Sequence, residues 1–481
     1  MRVLITHSYF LQFDVKQLNT NTPYPPLATL YAASFLRNKH TVKVVDVQFA
    51  SSAKEIEKHI IEFKPDAFII CDDGFNYLTK MCLTNMRHAA FEMQKIAKQN
   101  NIPVIVSSSD ATDHIQEYCA NEADYIILGE AEQTLGELIS AIDKKSEIKL
   151  IQGIAYKENN KIIKNPKRAV LKELDDLPSP AWDLIDIEPY KKIWENEHGY
   201  FSFNFVTTRG CPYKCNWCAK PIYGNRYNSH SPEYIVNLIK ETQSKYNFTH
   251  IWFADDIFGL KPGWLKTFSQ LIKKEKIKIK YKIQSRADLL LEDENIKYLA
   301  ESGCDTVWMG AESGSQKILD AMDKGITVEE IKRAVTLLKK HNIKPALFLQ
   351  FGYLNEQAED IKQTIDLVNE LLPFDIGVSV SYPLPDTKFH DMVKEQLKVK
   401  TNWTDSDDLH LMFKNTYTAD FYKHLHRYVH NTYRANQAKA LLKEFSFYNY
   451  KRIGLWPYYK FKSIKEKNIL KKINPVAANV L

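Results

Sequence analysis

The sequence predicts an α/β fold with two sets of strand–helix repeats and a helical C-terminal region. Short runs of β-branched and aromatic residues alternate with amphipathic stretches over residues 1–145, and again over residues 200–395. Alternation of this kind is typical of parallel sheets covered by helices. A proline-containing linker, residues 146–199, joins the two sets, and residues 396–481 follow as a helical, aromatic-rich region.

Length and composition narrow the class of protein. The 481 residues are enough for two or three domains, and 44% hydrophobic with 26% charged residues is typical of a globular protein. Apolar runs are too short for a spanning helix, and the N-terminus shows no signal-peptide pattern. The net charge of +6 gives no reason to expect nucleic acid as a partner. Seven cysteines, three of them clustered, indicate a reducing compartment, so we expect a cytoplasmic protein.

Residues 1–145 predict a first α/β domain. Amphipathic stretches separate its strands, and one of them places Ile56, Ile60 and Phe63 at helical spacing. The expected strands are Arg2–Thr6, Thr41–Val45, Ala67–Cys71, Val104–Ser107 and Tyr125–Leu128. This order of elements predicts a doubly wound parallel sheet, in which ligands bind beyond the carboxyl ends of the strands.

Small, hydroxyl and acidic residues follow these predicted strands. Small residues let a bulky ligand approach the backbone, so we expect ligand contacts here. The candidate residues are Ser8, Tyr9, Asp72, Asp73, Gly74, Ser107, Ser108, Gly129 and Glu130. The residues alone leave the ligand open, and a purely structural role for the domain is the alternative.

The linker carries a predicted hairpin and then three prolines. Ile151–Lys164 indicates two short strands, and Pro178, Pro180 and Pro189 follow. Prolines at this spacing exclude a long helix and favour an extended segment, in which Trp182 is expected to be a packing anchor.

Three cysteines lie in one short loop at the start of the second set of repeats. They are Cys211, Cys215 and Cys218. Thiolates this close in a reducing compartment predict a metal site rather than disulfides. A structural zinc site needs a fourth ligand, and Cys304 and His198 do not form a second close pair. Three thiolates fit a four-iron cluster better, with one iron left open for a small molecule.

Six strand–helix units are predicted around this loop, too few for a complete eight-fold barrel. The expected strands are Phe201–Val206, His250–Ala254, Lys280–Gln284, Thr306–Gly310, Ala346–Phe351 and Ile376–Ser381. The expected helices between them include Pro232–Lys245, Asn295–Ser302, Val328–His341 and Ala358–Leu371.

Polar residues and glycines follow four of these strands. Carboxylates can accept hydrogen bonds from an ammonium group, an arginine fork pairs with a carboxylate, and glycines permit close approach. A small polar ligand fits this set, although adjacent acids on a loop are often only solvated. The candidate residues are Asp255, Asp256, Arg286, Glu312, Ser313 and Gly352.

The cysteine loop resembles the signature of the radical S-adenosylmethionine (SAM) superfamily, Cys-x-x-x-Cys-x-aromatic-Cys, with Trp217 as the aromatic residue. The resemblance implies a [4Fe–4S] cluster on the three cysteines and SAM at its open iron. It also implies a partial (βα)6 TIM barrel with SAM contacts at the strand ends, for which Asp255, Arg286 and Glu312 are the foremost candidates. Asp386 stands where the family usually has glycine, so the resemblance does not determine which residues form the adenine pocket.

The first domain resembles the cobalamin-binding domains attached to radical SAM enzymes. The similar segments are Tyr24–Leu30, which contains Pro26, Tyr125–Glu132, and the linker Leu174–Leu184. The resemblance implies a flavodoxin-like domain that holds cobalamin against the strand-end residues named above. The Asp-x-His-x-x-Gly motif is absent, and His7 lies in a different context, so we do not expect a histidine ligand to cobalt.

Together these resemblances imply a cobalamin-dependent radical SAM methyltransferase that acts on an unactivated carbon of a small molecule or natural product. In such enzymes a 5′-deoxyadenosyl radical removes a substrate hydrogen and methylcobalamin supplies the methyl group. An electron donor such as flavodoxin or ferredoxin is the expected partner. A cyclase or rearrangement enzyme on the same core is the first alternative, and a non-catalytic corrinoid or iron–sulfur sensor is a remote one.

The C-terminal region predicts helices. His424, His426 and His430 lie in one amphipathic stretch that we expect to cover the barrel mouth as a cap rather than to bind a metal. Residues 450–472 combine aromatic residues with many lysines. Such a stretch can lie on an anionic membrane surface, but a solvated helix with a few packing anchors is the favoured interpretation.

Overall fold

The computed structural model describes residues 1–397, 400–444 and 450–481. The chain divides into two compact units. The first consists of Met1–Tyr213, Ala219–Tyr281 and Asn402–Asp408, and the second of Lys214–Cys218, Lys282–Thr401 and Leu409–Leu481. The domain boundaries expected from the sequence, at residues 145, 199 and 395, stay predictions.

A seven-stranded sheet forms the centre of the first unit, with the strand order β2-β1-β3-β4-β5-β6-β7. Its strands are β1 (Arg2–Thr6), β2 (Thr41–Val44), β3 (Ala67–Cys71), β4 (Val104–Ser107), β5 (Tyr125–Ile127), β6 (Ile154–Glu158) and β7 (Lys161–Lys164). Strands β1 to β5 are parallel, and the hairpin β6–β7 continues the sheet antiparallel. The order of the parallel strands is that of flavodoxin-like sheets, as predicted.

Helices cover both faces of this sheet, which explains why β3 and β4 are apolar and buried throughout. The helices are α1 (Val15–Thr20), α2 (Leu27–Leu36), α3 (Ile56–Phe63), α4 (Tyr77–Lys80), α5 (Thr84–Gln99), α6 (Ser109–Asp113), α7 (Ile115–Ala120) and α8 (Ala131–Lys144). The predicted periodicity of α3 is confirmed, since Ile56 and Ile60 join the core and Phe63 packs against it. Short 3-10 turns occupy Leu11–Phe13 and Ala53–Glu55.

The linker is only partly extended. Two 3-10 turns, Leu174–Asp176 and Trp182–Leu184, are followed by helix α9 (Glu188–His198), so the expectation of an extended segment is wrong for its last part. Pro189 lies in the first turn of α9, where the missing backbone N–H costs no hydrogen bond. Trp182 is buried against Phe203 and Phe205, as expected of a packing anchor.

The first unit also holds the beginning of the second set of repeats. Its strands are β8 (Ser202–Phe205), β9 (Thr208–Arg209), β10 (Asn228–Ser229) and β11 (His250–Phe253), and its helices are α10 (Pro232–Tyr246) and α11 (Trp264–Lys274). Strands β8 and β11 pair parallel, and β9 and β10 form a short antiparallel ribbon. The division between the units falls within the next strand, β12 (Lys280–Ser285), after Tyr281.

The second unit continues the alternation with the strand order β15-β14-β13-β12. Its strands are β13 (Cys304–Glu312), β14 (Lys344–Phe351) and β15 (Asp375–Val380), and its helices up to residue 393 are α12 (Asp293–Ser302), α13 (Gln316–Ala321), α14 (Val328–Lys340), α15 (Ala358–Leu371) and α16 (Lys388–Val393). Further 3-10 turns are Asp288–Leu290 and Lys394–Gln396. All six strands and all four helices expected for residues 200–395 are therefore confirmed.

The C-terminal region is helical, as predicted. Its elements are α17 (Ala419–Ala440), a 3-10 turn Leu441–Glu444, α18 (Tyr450–Gly454), α19 (Trp456–Ile473) and α20 (Pro475–Val480). That α17 forms the expected cap over the barrel mouth stays a prediction. Its N-terminal Tyr422 packs beside Gly352, after β14, whereas Arg434 binds Asp375 at the start of β15 with an N–O distance of 2.7 Å. Helix α17 thus runs along the strands because its polar groups find partners at both ends of them.

Parts of the predicted helical region, residues 398–399 and 445–449, lie outside the described residues. Among the helices that the structure describes, none combines the length and the apolar content needed to cross a membrane.

Candidate functional site

A pocket opens at the carboxyl ends of the parallel strands in the first unit. It is lined by Ala28, Cys71, Asp72, Gly74, Thr79, Ser107, Ser108, Ser109, Gly129, Ala131, Glu132, Ile222 and Tyr223. We call it the strand-end pocket. Five of the residues predicted to contact cobalamin line it: Asp72, Gly74, Ser107, Ser108 and Gly129. The topology of the sheet brings them together, because parallel strands end at one edge.

The other five predicted residues lie outside this lining, and several of them have structural partners. The amide and hydroxyl groups of Ser8 donate to the Asp72 carboxylate at 2.7 and 3.0 Å. The Asp73 carboxylate accepts the amides of Leu27 and Ala28, both at 3.2 Å, at the N-terminus of α2, which follows directly after Pro26. Burial raises the pKa of Asp73 to about 6. These side chains fix the strand ends and α2 around the pocket.

His7 and Tyr9 are not among the residues that line the strand-end pocket. The His7 Nε2 atom lies 2.9 Å from the Asp46 carboxylate, and Nδ1 accepts the Tyr9 amide at 3.2 Å. Both ring nitrogens of His7 are therefore engaged, and the side chain is only 2% exposed. No histidine is among the lining residues of the strand-end pocket.

An ion cluster is buried against this pocket. Arg209, in β9, binds Glu130 at 3.0 Å and Glu132 at 2.6 Å, and its guanidinium lies over the rings of Tyr31, Phe75 and Tyr223. Arg209 is 3% exposed, and the two glutamates are each 5% exposed.

The pKa values of the two glutamates shift in opposite directions. Burial raises the pKa of Glu130, which Arg209 offsets only partly. Burial acts the same way on Glu132, but the two bonds from Arg209 outweigh it and hold the pKa of Glu132 below its usual value. Glu132 is thus a buried, ionised acceptor in the wall of the pocket.

Asp255 secures the backbone that leads to the cysteine loop. Its carboxylate accepts the amides of Thr207 and Thr208, both at 2.7 Å, and both threonine hydroxyls, at 2.8 and 2.9 Å. Burial raises the pKa of Asp255 to about 7, against the effect of these hydrogen bonds. The adjacent Asp256 pairs instead with Lys80, at 2.6 Å, near the surface. Asp255 is therefore a positioning residue in this structure, and a direct SAM contact stays a prediction.

Cys211 belongs to the first unit, and Cys215 and Cys218 belong to the second. All three thiols are half-exposed and outside any disulfide. Among the described residues, no three His, Cys, Asp or Glu side chains are close enough together to hold a metal ion. The donor set itself fits an iron–sulfur cluster, because accessible thiols can lose a proton and become soft ligands.

Asn216 anchors the part of the loop that lies in the second unit. Its side-chain amide donates to the Ala321 carbonyl at 2.7 Å and accepts the Tyr353 hydroxyl at 3.0 Å, while its backbone amide donates to Met322. Asn216 is buried. The neighbouring Trp217 is half-buried, and its ring N–H finds no acceptor among the described residues.

The charged candidates of the second unit, Arg286 and Glu312, each pair with another charged side chain, and Arg286 also binds the backbone. Arg286 binds Asp288 at 3.0 Å and the Lys324 carbonyl at 2.9 Å, and its Nη1 lies 3.8 Å from the Cys215 sulfur. Glu312 binds Lys324 at 2.8 Å, and its φ of 57° lies at a bulge where β13 ends. Arg286 thus lies close to Cys215, whereas Glu312 is held by Lys324, and contacts of Arg286 and Glu312 with SAM stay predictions.

Ser313 and Gly352 shape the ends of neighbouring strands. The Ser313 hydroxyl lies 3.0 Å from that of Thr364, and the Gly352 amide donates to the buried Glu356 carboxylate at 2.7 Å. Gly352 has a φ of +75°, a conformation that favours glycine. Burial raises the pKa of Glu356 to about 8.

Family comparisons decide the class of protein. The family model described as the radical SAM superfamily matches residues 205–368. An uncharacterized methyltransferase of Pyrococcus horikoshii is 30% identical over 393 residues, which cover 79% of this chain and 81% of that protein. The chain belongs to the radical SAM superfamily.

As a radical SAM enzyme, the chain is similar to proteins that also span its first unit. An anaerobic magnesium-protoporphyrin IX monomethyl ester cyclase of Rubrivivax gelatinosus is 25% identical over 408 residues, which cover 82% of this chain and 70% of the cyclase. The structure of the cobalamin-dependent SAM radical enzyme OxsB, with aqua-cobalamin bound, superimposes with a TM-score of 0.74 at 18% identity, over 98% of this chain and 73% of OxsB. The predicted fold class is confirmed by this likeness.

The sequence missed several lining residues of the strand-end pocket. Glu132 and Ala131 could have been found, because they follow the predicted Gly129-Glu130 directly. Ile222 and Tyr223 could not, since they come from the segment after the cysteines, more than 90 residues beyond Gly129 along the chain, and carry no motif.

Proposed function

We propose that this radical SAM enzyme binds cobalamin in the strand-end pocket and transfers methyl groups to an unactivated carbon of a small-molecule substrate. The strand-end pocket is the observation that carries the proposal, because it lies at the ligand-binding edge of a flavodoxin-like sheet. The methyltransferase name of the Pyrococcus horikoshii relative and the cobalamin in OxsB support it.

The lining of the pocket suits the periphery of a corrin ring. That periphery carries amide side chains whose N–H groups need acceptors, and Asp72 and Glu132 supply buried carboxylates. Gly74 and Gly129 leave room for a flat, bulky group.

Five of the remaining candidate residues have a proposed role in the radical SAM half of the reaction. Cys211, Cys215 and Cys218 would hold the [4Fe–4S] cluster, and Arg286, beside Cys215, would hold SAM. Asp255 and Asn216 keep the backbone on either side of the loop in place. When bound, the cluster supplies the electron that cleaves SAM and the corrinoid supplies the methyl group. The chain itself binds and orients the cofactors and the substrate, and it excludes water from them.

Ring formation without methyl transfer is the second candidate function, favoured by the similarity to the Rubrivivax gelatinosus cyclase. The two reactions leave different SAM products. Methyl transfer would give S-adenosylhomocysteine together with 5′-deoxyadenosine, whereas cyclisation would give 5′-deoxyadenosine alone. An external electron donor of the flavodoxin or ferredoxin type and a cytoplasmic location complete the proposal.

The proposal that the strand-end pocket binds cobalamin is tested by measuring how much corrinoid the protein retains. The protein is reconstituted with iron, sulfide and hydroxocobalamin and then desalted, and its visible spectrum and iron content are recorded. We expect about one corrinoid per chain. A methyl group at Gly74 would meet neighbouring atoms no closer than 3.6 Å, so Gly74→Ala should retain the corrinoid, whereas the ring of Gly74→Phe should fill the pocket and exclude it. Iron content should match in all three proteins. Failure of the unsubstituted protein to retain corrinoid, or equal retention by Gly74→Phe, contradicts the proposal.

A further inference from the structure

Helix α19 has two sides of different character. One side packs on α17: His424 Nδ1 lies 2.6 Å from the Glu466 carboxylate, the Ser463 and Thr432 hydroxyls lie 2.7 Å apart, and Leu470 is fully buried. The opposite side carries Tyr458, Phe461 and Ile464, which are 53%, 67% and 49% exposed. Large apolar side chains that are this exposed and this close together indicate an interaction surface for a protein or a membrane.

The same side is strongly basic. Lys460, Lys465, Lys471 and Lys472 are exposed among the apolar residues. The single acidic residue of α19, Glu466, is 7% exposed and is paired with His424 on the inner side. We call the set Tyr458, Lys460, Phe461, Ile464, Lys465, Lys471 and Lys472 the α19 face. Its outward charge is therefore entirely positive.

The positions of these groups suit a surface helix rather than a spanning one. The apolar residues follow one another at three-residue spacing and alternate with lysines, and Lys462 lies 5.3 Å from the centre of the Tyr458 ring. Leu455 and Trp456, which are 45% and 37% exposed, extend the apolar residues at the start of the helix. Lysine stems can cover apolar surface while the ammonium groups reach phosphate oxygens.

We propose that the α19 face binds the surface of a bilayer that contains anionic phospholipid. Tyr458, Phe461 and Ile464 enter the boundary between headgroups and acyl chains, and the lysines bind the lipid phosphates. A second copy of this chain fits the face less well, because a two-fold contact would place lysines opposite lysines. The proposal is independent of the cofactors of the enzyme.

Vesicle sedimentation tests this proposal with the reconstituted full-length protein. Vesicles of phosphatidylcholine alone are compared with vesicles that also contain phosphatidylglycerol, at low and at high salt. We expect binding to the anionic vesicles that salt weakens, and little binding to the neutral ones. The double variant Lys465→Glu/Lys472→Glu should lower the partition coefficient about tenfold, since each surface lysine contributes to attraction by anionic lipid. Phe461→Gln should lower it as well.

Matched variants separate the α19 face from general surface effects. Leu150→Gln removes an apolar side chain that is 87% exposed in the first unit, and Lys54→Glu/Lys58→Glu reverses two exposed charges there. Both should bind vesicles as the unsubstituted protein does. Absence of binding to anionic vesicles, or equal binding by the α19 variants and their controls, overturns the proposal. A lipid-free dimer that Phe461→Gln dissociates would assign the face to a second copy and overturn it too.

Discussion

Arg209 has the most demanding environment of the charged residues around the strand-end pocket. It is a cation buried among three aromatic rings and held by two carboxylates, one of which, Glu132, lines the pocket. Desolvating three charges costs several kcal/mol for each ion, and only their mutual hydrogen bonds repay it. Arg209 also directly precedes Gly210 and Cys211. One residue therefore ties the pocket wall to the start of the cysteine loop.

We expect Arg209→Met to lower the unfolding free energy by about 3–5 kcal/mol, because it leaves two buried carboxylates without their cation. Arg37→Met is the matched control. Arg37 binds Asp183 at 2.8 Å, but both side chains are at least 40% exposed, so its loss should cost at most about 1 kcal/mol. Urea unfolding measures both values. Equal losses would show that the buried cluster contributes no more than a surface pair.

A pH dependence follows from Glu356. Burial raises its pKa to about 8 in the folded protein, from 4.5. The folded state therefore holds the proton more tightly than the unfolded chain, and the stability that this group contributes is lost progressively as the pH rises from about 4.5 to about 8, with no further loss well above that. Glu356→Gln cannot ionise. As the pH rises from about 7 to about 9, its unfolding free energy should increase relative to that of the unsubstituted protein, by about 1 kcal/mol. A difference that stays constant with pH would refute the raised pKa.

At the scale of elements, the ribbon β9–β10 presents Cys211. The Asp255 carboxylate accepts the backbone amide of Thr208, the first residue of β9. Gly210, with a φ of +80°, follows directly after β9. A methyl group at Gly210 would lie 2.4 Å from the Arg226 carbonyl oxygen, closer than any real contact. The loop thus leaves the sheet through a crossing that only glycine fits.

Gly210→Ala should therefore reduce both thermal stability and the iron bound after reconstitution. Gly224→Ala is the control for backbone strain alone, since its φ is +66° but its added methyl group would meet nothing within 4 Å. The control should lose about 1 kcal/mol and keep its iron. Iron content equal to that of the control would mean that the crossing does not position the loop.

Periodicity and strand-end logic predicted most elements, because apolar runs and turn residues are local signals. The bounds of β1, β3 and β4 match the expectation to the residue. Helix α9 was not predicted, because Pro189 was interpreted as a helix breaker although it lies in the first turn of the helix. The hydrogen-bond partners of the site residues were harder to predict than their positions in the fold. Asp255 binds two threonines and Glu312 binds Lys324 because segments distant in sequence pack together.

At the scale of the whole molecule, each unit gathers strand ends of its own. In the first unit they form a pocket suited to a flat cofactor, and in the second they bring Arg286 to Cys215. The sequence predicted five lining residues of that pocket because they follow strands directly. It predicted the superfamily from one loop of three cysteines, and methyl transfer only from that loop together with the segments that resemble cobalamin-binding domains.

Reductive cleavage of SAM is the measurement that tests the central claim most directly. Anaerobic, reduced and reconstituted protein is incubated with SAM, and 5′-deoxyadenosine is quantified for the unsubstituted protein, for Cys215→Ala and for the control Cys304→Ala, whose cysteine is buried at the start of β13. The account predicts 5′-deoxyadenosine from the unsubstituted protein and from Cys304→Ala, and only background from Cys215→Ala. Formation of 5′-deoxyadenosine by Cys215→Ala at the unsubstituted rate would contradict it.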